Sequence, residues 1–374
     1  MKFRLLFAFV LLLVSINIAA ADDNNPTPWP IVKRCLPTPI VPDKNWSYDG
    51  EILLNGWAGI HAIHDTSAMP YVVHWGWGIL SPNGQWILTQ KMHEEMEQLS
   101  GPGPMARYYL YYGDIVAENL KTGKKIVFTW EANVVFSSGP YLFGPAGPIW
   151  LDNNHFVSFY GGWGQETREG DIETGEIIDR PDLDLTDYEY SMSPDQTRAV
   201  YGGRFSNTQL YNLLDKEPIS DNPVGGSRDL ISSVWSPNSL IFVDVTTDEN
   251  RKRTLTVFDR DGAVVATPFV VPESNISLGL FSPTNRYFSF EIPSGNGTTV
   301  PFTSRQLMLD LNEEVIYDLC IDNAQGIAWS PDGTQFATIL GVGQQPIVVV
   351  DMNDWQPFIV GYHIGSVLLW RGLP

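Results

Sequence analysis

Short apolar runs separated by Ser-Pro-Asx turns recur along this chain. The segment Ile327-Ala-Trp-Ser-Pro-Asp-Gly-Thr-Gln-Phe-Ala-Thr-Ile339 places two apolar runs on either side of a Pro-Asp-Gly turn, the pattern of a β-hairpin. Related segments occur at Ile79 to Leu88, Tyr190 to Asp195, Val234 to Asn238 and Leu280 to Thr284, with a degraded copy at Ile149 to Asn154. Counted from Ser81, Leu151, Ser193, Ser236, Ser282 and Ser330, the spacings are 70, 42, 43, 46 and 48 residues. Each turn is followed by further apolar strands, such as Thr254 to Asp259 and Gly262 to Ala266. Four antiparallel strands per period of this length, repeated radially, predict an all-β propeller.

The chain ends predict how the ring closes. Ser366-Val-Leu-Leu-Trp370 reads as the first strand of a further repeat that stops at Pro374, while Glu51 to Asn55 and Gly59 to His64 read as later strands with no turn motif of their own. Joined, they make one composite blade and hide two sheet edges that would otherwise recruit other strands. The expectation is therefore seven four-stranded blades over residues 46–374, preceded by a Pro-rich lead-in over 22–45.

The Trp-Ser-Pro-Asp-Gly signature resembles the TolB-like, WD-repeat-like propeller repeat of exported bacterial proteins, and the resemblance spans about residues 46–374. It speaks to fold far more than to function, because such propellers serve as scaffolds, enzyme domains and ligand binders. TolB itself carries an additional α/β domain before its propeller, which this chain is too short to hold. The propellers of prolyl-oligopeptidase-type enzymes are a further likeness, yet no G-x-S-x-G nucleophile elbow occurs in the sequence.

Composition narrows the functional classes. With 43% hydrophobic and 18% charged residues the chain has ample material for a core, which excludes disorder. Residues 1–21 read as a signal peptide: Lys2 and Arg4, an apolar run from Leu5 to Val14, then Ala19-Ala20-Ala21. Removing Lys2 and Arg4 takes the net charge from −20 to −22, which argues against nucleic acid, since binding there needs cationic side chains. No later segment is apolar for long enough to span a membrane. A secreted or periplasmic monomer without a lipid anchor is expected. In an oxidising compartment the two cysteines, Cys35 and Cys320, are expected to pair, which would carry the lead-in across the ring.

Candidate chemistry is sparse. In a propeller the A-B and C-D turns share one face and the B-C and D-A loops share the other. The A-B turns are short. The long connections at Lys91 to Arg107, Gly161 to Gly170, Thr246 to Arg253, Glu291 to Arg305 and Glu131 to Gly147 all fall on the other face, where binding loops on a rigid scaffold commonly reside. Seven residues before each motif serine, near the expected channel mouth on that face, stand His74, Thr186, Asp229, Asn275 and Asn323. This polar ring could hold a small ligand or a partner's loop, or could simply be solvated loop ends. Trp163 is a candidate exposed contact, and Arg204 and Arg251 stand among basic residues on the same loops, interspersed with acidic ones.

His61 and His64 lie three apart on one strand and so point to opposite faces, which disfavours a metal pair. No calcium-loop motif appears around Asp182, Asp184, Asp187 and Glu189. Neither a metal nor a cofactor is expected. The leading functional expectation is a non-catalytic binding or scaffold protein that holds a protein, peptide or glycan on its long-loop face. The alternative is a hydrolase or lyase at the channel mouth, using groups such as His74 and Asp229.

Overall fold

The structure, a computed structural model, describes residues 28–43, 46–56, 58–64, 69–76, 78–100, 107–136, 148–160, 166–180, 189–202, 209–215, 217–219, 233–247, 252–272, 276–294, 303–341 and 343–372. Strand β1 (Ile31–Lys33) lies in the lead-in, and β2 (Glu51–Gly56), β3 (Gly59–His64) and β4 (Tyr71–Trp75) follow it. Blade 2 holds β5 (Ile79–Leu80), β6 (Trp86–Ser100), β7 (Arg107–Asn119) and β8 (Lys125–Phe136). Blade 3 holds β9 (Ile149–Trp150), β10 (His155–Tyr160), β11 (Glu166–Asp171) and β12 (Ile177–Asp179). Blade 4 holds β13 (Glu189–Met192), β14 (Arg198–Gly202), β15 (Gln209–Asn212) and β16 (Glu217–Pro218). Blade 5 holds β17 (Val234–Trp235), β18 (Ile241–Thr247), β19 (Lys252–Asp259) and β20 (Val264–Pro272). Blade 6 holds β21 (Ser277–Phe281), β22 (Tyr287–Ser294), β23 (Thr303–Asp310) and β24 (Val315–Asp322). Blade 7 holds β25 (Ala324–Trp329), β26 (Gln335–Leu340), β27 (Gln345–Asp351) and β28 (Pro357–His363), and β29 (Ser366–Arg371) comes last.

Blade 1 is the composite blade, with order β29-β2-β3-β4. The last strand of the chain pairs antiparallel with β2, from Glu51 opposite Arg371 to Asn55 opposite Ser366. The result is an all-β, seven-bladed propeller, and among the described residues no helix is long and apolar enough to cross a membrane.

The recurrent turn has one chemical design. In all five intact copies the motif serine hydroxyl accepts the backbone N–H five residues on, at 2.9–3.1 Å. In four of them it also donates to the Asx two residues on, as Ser236 does to Asn238 at 2.7 Å. The residue after the Asx position is left-handed in every copy, with φ between 57° and 71°: Gly84, Gln196, Ser239, Asn285 and Gly333. Ser239 and Asn285 bear that conformation without being glycine, and each bonds the preceding blade. Ser239 Oγ accepts from Asp195 N at 3.0 Å and Asn285 Oδ1 from Asn238 N at 3.2 Å. Ser236 is fully buried, so Ser236→Ala strands the partners of its hydroxyl, and a loss of about 1–3 kcal/mol is expected in urea unfolding. An unchanged midpoint would mean that the backbone alone holds the turn.

The motif tryptophans join blades. Trp150 Nε1 donates to Ile79 O of blade 2 at 3.0 Å, and Trp235 Nε1 to Ser191 O of blade 4 at 3.0 Å. Trp329 stacks on Tyr287 of blade 6 with centroids 5.8 Å apart.

The lead-in takes a route the sequence did not suggest. Cys35 and Cys320 are bonded, yet the lead-in does not cross the ring to bring them together. It runs around the outer rim as a strap. Trp29 N donates to Pro268 O on the outer strand of blade 5, β1 pairs in parallel with β24, and Ile40 bridges Phe358 on the outer strand of blade 7. Arg34, beside the disulfide, lies over the Trp355 ring at 5.2 Å.

Candidate functional site

The channel ends differ in construction. On the short-turn face a cavity of about 1120 Å³ receives residues from all seven blades. Pro82, Pro194, Pro237, Pro283 and Pro331 of the motifs contribute to its wall. Trp235, Trp329 and Trp370 also reach it, but each is at least nine-tenths buried, so their ring faces serve packing more than contact. Arg371 is the single ionisable residue among those lining it, and its guanidinium is paired with the buried Glu51 carboxylate through Nε at 2.7 Å. The same carboxylate accepts from Tyr71 Oη. Burial, then the bond to Glu51 and its charge, push the Tyr71 phenol up to about 12. Apart from Arg371, the described residues lining this end are apolar or uncharged.

On the opposite face blade 2 outgrows the ring. The stretch from Lys91 to Arg107, expected as a long loop, is mostly strand: β6 pairs with β7 from Trp86 opposite Asn119 to Ser100 opposite Arg107. Residues 131–136, assigned from sequence to a D-A connection, continue β8 against β7 as far as Phe136 opposite Tyr108. With 15, 13 and 12 residues against 7, 8 and 9 for the equivalent strands of blade 5, these three form an arm reaching about 20 Å beyond the ring. Register shifts at Met92/Met96 and Tyr111/Gly113 fall at one level and mark its base. Strand β5 covers only Leu88 and Ile87 of β6. Beyond them β6 has β7 as its sole pairing partner among the described strands, so its other edge is unpaired among the described residues.

No protein-family model matches the sequence, and no curated protein matches it. Among solved structures the chain is similar to TolB from Acinetobacter baumannii, at 10% identity and a TM-score of 0.37, over 77% of this chain and 83% of that one. It is similar to an oligogalacturonate lyase in complex with manganese, at 10% identity and a TM-score of 0.43, over 74% and 86%. A mitotic checkpoint complex is similar at 12% identity and a TM-score of 0.47, over 100% of both chains.

Of the ring of polar residues expected at the channel mouth, Thr186, Asp229 and Asn275 lie outside the described residues, as do Trp163, Arg204 and Arg251. His74 sits on β4, the outermost strand of its blade, three strand spacings or about 14 Å from the inner strand. Counting back from the motif fails there because those seven residues include the last part of an outer strand. His74 Nδ1 is 3.5 Å from Glu118 of blade 2, which also pairs with Lys125 at 3.1 Å. Burial holds the His74 imidazole below its ordinary range, against the opposing pull of the Glu118 carboxylate. Asn323, in a left-handed conformation, is a fastening: its Oδ1 accepts from Ser304 N at 3.1 Å and its own N–H donates to Ser304 O at 2.7 Å. Arg168 pairs with Asp179, and Arg305 with Asp318, so these two cations of the long-loop face have anionic partners.

One constellation was missed in the sequence. His61 does not meet His64. It meets His363, with ring centroids 4.9 Å apart. Their approach depends on closure of the ring between blade 7 and blade 1, and no local spacing announces it.

Proposed function

We propose that this chain is an exported, non-catalytic binding propeller whose long-loop face holds a protein or peptide partner. The observation that carries the reading is the three-stranded arm of blade 2, with its β6 edge beyond Lys91 unpaired among the described residues. An unpaired edge offers a row of N–H and C=O groups to an incoming extended segment, which gains main-chain hydrogen bonds by adding a strand. Export is supported by the signal-like residues 1–21 and by a disulfide of the kind that persists in oxidising compartments. A glycan-stacking role gains less support, because Trp235, Trp329 and Trp370 are buried. The hydrolase or lyase alternative is weakened at His74, which stands on the rim beside Glu118.

Joining Met92 to Gly113, a register pair, through a two-residue Asn-Gly turn, with residues 131–136 replaced by a Gly-Ser linker, removes all three strands of the arm while leaving the ring strands intact. The armless chain is expected to keep the far-ultraviolet spectrum and melting behaviour of the ring, and to lose partners that the full chain captures from an extract of its native compartment. Undiminished capture by the armless chain would overturn this reading.

A further inference from the structure

At the long-loop end of the ring seam, the tip of the β2-β3 hairpin meets the end of β28. His363 is 8% exposed, and its Nε2 donates to Asn55 O at 3.0 Å across 308 residues of sequence. Beside it, His61 Nε2 is buried with no hydrogen-bond partner among the described residues. Native interiors rarely leave such groups unpaired, and each instance asks for a ligand, a water or a function. Two glycines shape the space between the rings. A β-carbon on Gly56 would stand 3.1 Å from His61 Nε2 and 3.2 Å from His363 Nε2, and one on Gly365 would stand 3.2 Å from His363 Nε2 and overlap Asn55 O. Both imidazole nitrogens therefore border the one small space beside the Gly56 α-carbon, with the Asn55 main-chain oxygen close by.

We propose that His61, His363 and Asn55 form a site for a single first-row transition cation of borderline softness, Zn²⁺, Ni²⁺ or Cu²⁺, which clasps the closure of the ring. Two imidazole nitrogens suit these ions, and the Asn55 main-chain oxygen with solvent completes a four-coordinate shell. The donors come from β2, β3 and β28, so the ion would tie blade 7 to the composite blade. Protons balance within His363. Its Nε2 proton, now given to Asn55 O, moves to Nδ1 as Nε2 turns to the metal, and no net proton is released. No group of three His, Cys, Asp or Glu converges among the described residues, and the third donor is instead the Asn55 main-chain oxygen. Because the folded ring assembles the donors, binding should stabilise it by mass action.

The test uses the full chain, stripped with chelator and titrated calorimetrically with Zn²⁺, Ni²⁺ and Cu²⁺, with Mg²⁺ as the hard-ion control. One equivalent of at least one transition ion is expected to bind and raise the melting temperature, while Mg²⁺ does neither. His61→Gln should weaken that affinity at least tenfold, and Gly56→Ala, which fills the cradle, should abolish it; His64→Gln on the same strand should leave it unchanged. Should Gly56→Ala fail to fold, Cu²⁺ electron paramagnetic resonance on the unaltered chain decides instead, with hyperfine structure from two imidazole nitrogens expected. Absence of stoichiometric binding by all three ions, a spectrum without nitrogen coupling, or affinity unaltered by His61→Gln would overturn the proposal.

Discussion

A chain ending at Gly365 is expected to lose the cooperative unfolding transition of the full protein, while one lacking Asp22 to Pro30 should keep it. Strand β29 contributes Val367 and Trp370, 5% and 3% exposed, to the core shared with blade 7. Trp370 Nε1 donates to Asp49 O at 2.7 Å, and its ring meets Tyr48 edge-on at 5.5 Å. Emptying a buried tryptophan site typically costs about 3–5 kcal/mol. Removing Arg371 also leaves Glu51, 4% exposed, as a buried carboxylate without its cation, and breaking such a pair costs about 3–5 kcal/mol more. Together these approach the whole stability of an ordinary domain, about 5–15 kcal/mol. The N-terminal truncation removes much less, chiefly the packing of Trp29 on the blade 5 and 6 core and the bonds Trp29 N to Pro268 O and Ile316 N to Pro30 O. Urea unfolding followed by tryptophan fluorescence compares the two. Equal stability would mean that the ring closes elsewhere.

The second large effect belongs to the rim strap. The Cys35–Cys320 bond spans 285 residues of sequence. On the chain-entropy view so long a loop is worth up to about 5 kcal/mol, with about 2–4 typical of measured disulfides. Both cysteines are exposed, so mild reductant reaches the bond without unfolding the ring. Reduction, or the Cys35→Ser/Cys320→Ser pair, should lower the melting temperature by several degrees. It should also make the strap cleavable at Lys33 and Arg34 while the blades stay resistant. An unchanged melting temperature under reductant would remove the bond's structural role.

What the sequence disclosed and what it hid follow from range. The Ser-Pro-Asx turn is local: hydroxyl, carboxyl or amide and left-handed residue lie within six positions, so Ser81, Ser236 and Ser330 announce their hairpins directly. The composite blade was readable because Ser366 to Trp370 repeats a first strand, with the remaining strands displaced to the other terminus. The strap was not readable. Ile31, Val32 and Lys33 are all exposed, and they pair in parallel on an outer edge, so no alternation of apolar and polar positions marks them. The arm was misread because a long hairpin outside the ring has no neighbouring blade to impose the repeat's period. At the seam, His61 meets His363 from the opposite end of the chain, and spacing arguments see only neighbours.

Hydrogen exchange along the seam tests ring closure most directly. Amides of Glu51 to Gly56 and Ser366 to Arg371 should exchange as slowly as those of Gln335 to Leu340 in the interior of blade 7, because the pairing from Glu51/Arg371 to Asn55/Ser366 places them within the same cooperative ring. Rapid exchange at Glu51 to Gly56, with the other blades fully protected, would contradict the seven-bladed ring and leave the composite blade without foundation.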